Sequence, residues 1–182
     1  MNQAIQEQPG TKTTERPLYS PGLEGVIAGE SALCQVDEGE AGLRYRGYAI
    51  GDLAKWSRFE EVAYLLLIGH LPTRSELDSF STLLRGHRVL PDPVQRFIDS
   101  LQPGLHPMDV LRTGISLLGL SDPDAQDGSH EANLRKSMRL LSQIPLLIAH
   151  SYRVMAGTVP QRSDESRDFA QHLLHLVAGH KD

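Results

Sequence analysis

Residues 59–77 read FEEVAYLLLIGHLPTRSEL, and their spacing decides what kind of fold the chain adopts. The run FEEVAYLLLI reads as a helix: Ser57 and Glu60 have the spacing of a capping box ahead of it, and Gly69 closes it. Thr73 and Glu76 repeat that device and open a second helix, RSELDSFSTLLRG. One helix and the start of a second within nineteen residues, joined by a Gly and a Pro, set the pattern for everything downstream.

Moving toward the C-terminus, Pro93 starts a short helix, PVQRFIDSL, ended by Pro103-Gly104. Pro107 sits where a first-turn proline is tolerated, heading MDVLRTGISLLGL. A polar loop, SDPDAQDGS, covers residues 121–129. The longest helical run, 131–156, follows; Pro145 should kink or split it, and Gly157 closes it. The last helix places Phe169, Leu173, Leu176 and Val177 on one face, with Asp164 and Glu165 suited to its positive end.

Toward the N-terminus the period changes. IGDLAKW is a short helix, and before it SALCQVDEGEAGLRYRG alternates as a small β-hairpin. Cys34 and Val36 alternate with polar neighbours, as do Leu43 and Tyr45 with Arg44 and Arg46; Gly39 and Gly42 supply the turn. A hairpin of two strands is marginal alone and must lean on something larger. Residues 1–20 are polar, with two prolines and no apolar signal core, and read as a disordered tail ahead of a helical domain over 21–182. The fold class is therefore all-α, multi-helical, with a small N-terminal β-hairpin.

Composition narrows the function classes. The 182 residues are 40% hydrophobic and 23% charged, as in ordinary globular proteins, and carry a net charge of −5. That charge, without a basic block, gives no electrostatic case for nucleic acid. Apolar runs such as YLLLI are too short to span a bilayer, and a lone cysteine fits a reducing compartment, so a cytoplasmic location is expected.

Each candidate for chemistry meets a plainer explanation. His172 and His175 lie three apart on the last helix, close enough to share an ion, but no third ligand joins them at a suitable spacing. They are expected to be solvated residues bordering the apolar stripe, and no metal site is assigned. Ser129-His130-Glu131 reads as a helix cap with an acidic first turn, since a catalytic triad is assembled from distant segments. Cys34 is expected to be a small buried hydrophobe. Gly22, Gly25 and Gly29 serve turns, not a nucleotide fingerprint. Arg44 and Arg46 should project from one strand face as an anion site or, as we expect, as partners of nearby acids.

Five stretches together resemble the citrate synthase family, including its 2-methylcitrate synthase members: GLEGVIAGES, GLRYRGYAIGDLA, FEEVAYLLLIGHLPTRSEL, HPMDVLRTGISLLG and IPLLIAHSYRVMAG. The resemblance covers roughly 22–178 and the family's N-terminal portion only. It implies a mostly helical fold, a homodimer, and condensation of acetyl-CoA with oxaloacetate to citrate and CoA in the tricarboxylic acid cycle. In that chemistry a carboxylate base and positioned histidines offset the cost of enolisation, and arginines hold the substrate carboxylates. The family's catalytic histidines belong to segments resembling H-A-D-H and G-P-L-H-G, which these 182 residues do not contain. No catalytic or cofactor-binding residue is therefore assigned, and no cofactor. What the resemblance does carry over is structural: the helices matching HPMDVLRTGISLLG and MRLLSQIPLLIAHSYRVMAG resemble ones that pack across the family's dimer interface.

Three expectations follow. The first is an N-terminal portion of an acyltransferase of this family, inactive alone. The second is half of a split synthase completed by a second chain, and the third is a non-catalytic helical dimerisation module. In each case helix faces without a covering partner would expose apolar surface at about 25 cal/mol per Å².

Overall fold

The computed structural model describes residues 22, 25, 26, 29–36 and 42–179. The tail expected over 1–20 and most of the turn expected between the first two strands lie outside these residues. The backbone divides after Ala32. In the first unit, Gly22 and Gly25 both have positive φ, the left-handed backbone that a turn at a glycine exploits. The second unit, from Leu33 on, holds the fold.

It begins with an antiparallel meander of β1 (Cys34–Val36), β2 (Leu43–Tyr45) and β3 (Tyr48–Ala49). The third strand goes beyond the expected hairpin, and it changes the reading of the arginines. Tyr45 pairs with Tyr48, so Arg46 and Gly47 form a two-residue turn with φ of 48° and 89°. Positive φ at both central residues matches the right-handed twist of the flanking strands. Arg46 is thus a turn residue and does not share a strand face with Arg44. Cys34 is also corrected: all three residues of β1 are exposed, because the strand lies at the edge of the meander.

Among the described residues, seven helices follow: α1 (Ile50–Trp56), α2 (Phe59–Ile68), α3 (Arg74–Gly86), α4 (Asp92–Asp99), α5 (Pro107–Leu120), α6 (His130–Met155) and α7 (Phe169–Ala178). The fold is the expected multi-helical one with a small sheet. Thr73 and Glu76 form their capping box: the Thr73 N–H donates to Glu76 at 2.7 Å and the Glu76 N–H to the Thr73 hydroxyl at 3.3 Å. The box expected at Ser57 and Glu60 is displaced by one residue. The Arg58 N–H donates to Glu61 Oε2 at 2.7 Å, which frees Glu60 to turn inward, where it is buried.

Helix α6 is the spine. It runs through Pro145 as one continuous helix, so the proline does not split it. Leu147 joins Val94, Ile98, Leu101, Val110 and Leu118 in a core against α4 and α5. Met138 and Leu141 pack on the α2–α3 core of Ala63, Phe80 and Leu84, while Leu146 and Ala149 meet Leu176 of α7. Helices α5 and α6 cross closely at Gly114, where an added Cβ would lie 2.5 Å from Leu147 Cδ1. At its C-terminus α6 ends in a Schellman motif. Gly157 N–H donates to Val154 and Thr158 N–H to Arg153, with Gly157 at φ 70°.

Candidate functional site

Residues 156–168 join α6 to α7 and meet several titratable side chains. The loop's carbonyls are held from several sides. Arg153 Nε donates to Val159 at 2.6 Å, His150 Nε2 to Gln161 at 3.1 Å, and His175 Nε2 to Arg162 at 3.2 Å. A carbonyl cannot donate, so these two rings carry their proton on Nε2. Arg88, from the α3–α4 connection, donates to the carbonyls of Asp164 and Arg167 at 3.2 and 3.1 Å. His172 Nε2 meets the Ser163 hydroxyl at 2.8 Å.

His172 is therefore not a solvated border residue: it is 2% exposed. It is the one polar member of the buried face of α7, a position that apolar periodicity passes over. Burial, with Arg88 and His175 nearby, pushes it down to about 4, so the ring is neutral at pH 7. Burial likewise lowers His150. Arg88 is also lowered, by burial and by Arg85, while Glu60, Asp164 and Asp168 oppose that shift. The His172–His175 pair binds adjacent loop residues, and among the described residues no group of three or more His, Cys, Asp or Glu side chains is placed to hold a metal ion.

The helix expected to begin near Asp164 starts later, at Phe169, with Asp168 as its cap. Asp164 instead folds back within the loop. Hydrogen bonds from Ser166 and Arg167 hold its carboxyl well below the usual range. Asp124, in the loop before α6, is lowered in the same way by Arg135 and Arg139.

The other candidates are also structural. Ser129 caps α6, its hydroxyl accepting the Ala132 N–H at 3.2 Å. Arg44 donates to the Gly47 carbonyl across the β2–β3 turn. Arg46 donates to the Leu66 carbonyl at 3.2 Å and so ties the sheet to α2, in place of the acidic partner expected for it. Glu60 was invisible as a contact residue in the sequence because it occupied an expected capping position.

Two apolar grooves remain on the flanks of α6, and both include Ile148. One, of about 390 Å³, lies between α5 and α6 and is lined by Met108, Leu111, Leu147, Ser151, Tyr152 and Met155, among others. Ser151 is 5% exposed there, and its hydroxyl has no hydrogen-bond partner. The other, of about 500 Å³, lies between α2, α6 and α7. Neither brings together a nucleophile and a base, so what they can do is receive apolar surface.

A family model described as "Citrate synthase, C-terminal domain" matches residues 22–182. The chain belongs to the citrate synthase family. Within that family, the 2-methylcitrate synthase of Mycobacterium tuberculosis is 39% identical over 165 residues, covering 91% of this chain and 42% of the relative. The 2-methylcitrate synthase of Shewanella oneidensis is 41% identical over 167 residues, with 90% and 43% covered. Among solved structures, the citrate synthase of Pyrobaculum aerophilum superposes with a TM-score of 0.80 at 29% identity, over 97% of this chain and 48% of that one. That of Thermotoga maritima gives 0.77 at 32% identity, over 88% and 42%. The chain thus spans less than half the length of these citrate synthase relatives. No described helix is long and apolar enough to cross a membrane.

Proposed function

We propose that this chain is the N-terminal portion of a citrate- or 2-methylcitrate-synthase-type acyltransferase and turns over no substrate alone. The observation that carries this reading is the family match over 22–182 at less than half the relatives' length. The 182 residues also hold no segment like H-A-D-H or G-P-L-H-G. The histidines that anchor the 156–168 loop are hydrogen-bonded to Gln161, Arg162 and Ser163.

In this reading the substrates are an acyl-CoA and oxaloacetate, and the chain contributes scaffold. The α5–α6 groove takes a second copy, as in a homodimer, and the unpartnered Ser151 hydroxyl finds its hydrogen bond across that contact. The location is cytoplasmic, where acyl-CoA and oxaloacetate meet.

The test is direct. Purified chain given acetyl-CoA or propionyl-CoA with oxaloacetate should release no CoA above background. Turnover by the 182 residues alone defeats the proposal. Light scattering should show a dimer that Tyr152→Lys weakens.

A further inference from the structure

The loop between α6 and α7 is held in place by side chains. Among the described residues, no main-chain N–H from Val159 to Ser166 donates to a main-chain carbonyl. Two of the groups that hold it are histidines from different helices, closing on positions two residues apart. His150 of α6 donates from Nε2 to the Gln161 carbonyl, and His172 of α7 meets the Ser163 hydroxyl. A cleft of about 290 Å³, lined by Arg88, His150, Gln161 and Ser163 among others, opens onto this cluster.

The arrangement suits neutral rings and opposes charged ones. The second ring nitrogen of His150, Nδ1, is buried without a hydrogen-bond partner. A proton there would place a charge and an unmatched N–H donor inside the fold. His172 is faced by Arg88 from the α3–α4 connection, by His175 on its own helix, by His150 and by Asp164. Asp164 is already bonded to Ser166 and Arg167 within the loop. His150 is faced by Arg153 on α6 and by Asp99 of α4. Arg88 in turn stands among Arg85, Glu60, Asp164 and Asp168. Proton uptake by both rings thus adds positive charge beside Arg88 and Arg153, which already grip the loop. Helix α7 is only ten residues long and rests its buried Leu176 on Leu146 and Ala149, a small attachment of the sort that opens ahead of the rest of a fold.

We propose that residues 156–168 form an acid-released latch: His150 and His172 hold it shut while neutral, and proton uptake at both opens it and frees α7 from the helical core. The latch is a property of the folded chain and holds whether or not the chain serves a synthase. A ring that titrates at about 4 when shut and 6.5 when released raises the opening constant roughly twentyfold between pH 7 and 5. His150 is shifted the same way and steepens the response.

Hydrogen exchange of the 182-residue chain, corrected for intrinsic rates at each pH, tests this. Protection of α7 amides should fall at least tenfold from pH 7 to pH 5, while that of α3 amides changes less than threefold. His172→Gln keeps a polar nitrogen but no titration, and should lose most of the fall; with His150→Gln added, α7 should become indifferent to pH over this range. Constant α7 protection in the unaltered chain overturns the proposal. So does an undiminished fall in the double variant, and so does equal loss in α3 and α7, which would be whole-chain unfolding. Should a glutamine variant already be open at pH 7, the unaltered chain decides. The ring-proton NMR signals of His150 and His172 must then titrate over the pH interval in which α7 loses protection, and titration outside that interval removes them as the trigger.

Discussion

Glu60, in the first turn of α2, accepts the main-chain N–H of Phe169, the first residue of α7, at 2.7 Å and 109 residues further along the chain. Beside it, the rings of Phe59 and Phe169 stack with centroids 3.7 Å apart. An unpaired amide at a helix start is costly when buried, and a carboxylate there also favours the positive end of the helix. These two neighbours therefore help fix where α7 begins and hold one wall of the groove between α2, α6 and α7.

Replacing Glu60 should loosen α7 specifically. Glu60→Ala leaves the Phe169 amide unpaired and should cost about 1–3 kcal/mol. Glu60→Gln keeps an acceptor oxygen and should cost less. Denaturant midpoints give the magnitudes, and limited proteolysis gives the place: cleavage should rise within residues 156–168 before anywhere else. Unchanged protease sensitivity in Glu60→Ala contradicts the docking role.

Much of the fold was legible because helix signals are local. The Thr73–Glu76 box, the Gly69 and Gly157 stops and the Pro107 start each depend on residues within one turn, and each stands where the sequence put it. What was not legible depends on partners far along the chain. Glu60 and Glu61 compete for one capping role, and only the position of Phe169 shows which of them turned inward. His172 looked like a border residue because nothing in its own helix announces Ser163 or Arg88. Cys34 alternated like a buried strand residue, but its strand is an edge strand whose three residues are exposed. The grooves follow the same rule. Apolar periodicity marks a face for burial without saying whether the covering surface lies in the same chain.

Stability should depend on pH in two separable windows. His172 has a folded value of about 4 against an unfolded 6.5, so the unfolded state binds the proton more readily between those values. Its contribution is fully present above pH 6.5 and is lost as pH falls toward 4, amounting to about 3 kcal/mol. His150, lowered in the same direction, adds to that window. The carboxylates of Asp122, Asp124 and Asp164 are lowered too, so their contributions disappear only at more acid pH, below the ordinary aspartate range. Unfolding curves between pH 7 and 2 measure this. His172→Gln should flatten the first window and leave the second; an unaltered slope between 6.5 and 4 would remove His172 as its source.

The loop before α6 is pinned by charge. Arg139 reaches both Asp122 and Asp124, at 2.7 and 2.5 Å, with side chains only 14%, 11% and 18% exposed, and Arg135 adds a 2.7 Å contact to Asp124. Removing one member strands the others with little water around them. Arg139→Met should lower the melting temperature by several degrees. Arg74 pairs with Asp78 in the open, at 3.3 Å on the surface of α3, so Arg74→Met should change little. Equal effects from the two substitutions would mean that enclosure is not what gives the Arg139 cluster its weight.

The α5–α6 crossing offers a test of close packing. Alanine is the better helix former by about 1 kcal/mol, so Gly114→Ala should stabilise α5 in isolation. In the folded chain its new methyl would fall 2.5 and 2.6 Å from the two terminal carbons of Leu147. Leu147 is fully buried in the core with Val94, Ile98 and Val110, so moving it aside disturbs packed neighbours. Overpacking of this kind costs about 1–3 kcal/mol, which outweighs the propensity gain over most of that range. Net destabilisation of about 1 kcal/mol is expected from the single change. Leu147→Ala alone leaves a cavity and should cost about 2–5 kcal/mol. When the two changes are combined, the methyl introduced by Gly114→Ala enters the space that the leucine vacates, so the double variant should be more stable than the sum of the two losses predicts. Strictly additive denaturation energies would show that the helices do not meet at Gly114 in solution. The crossing angle that shapes both grooves on α6 would then have to be set elsewhere.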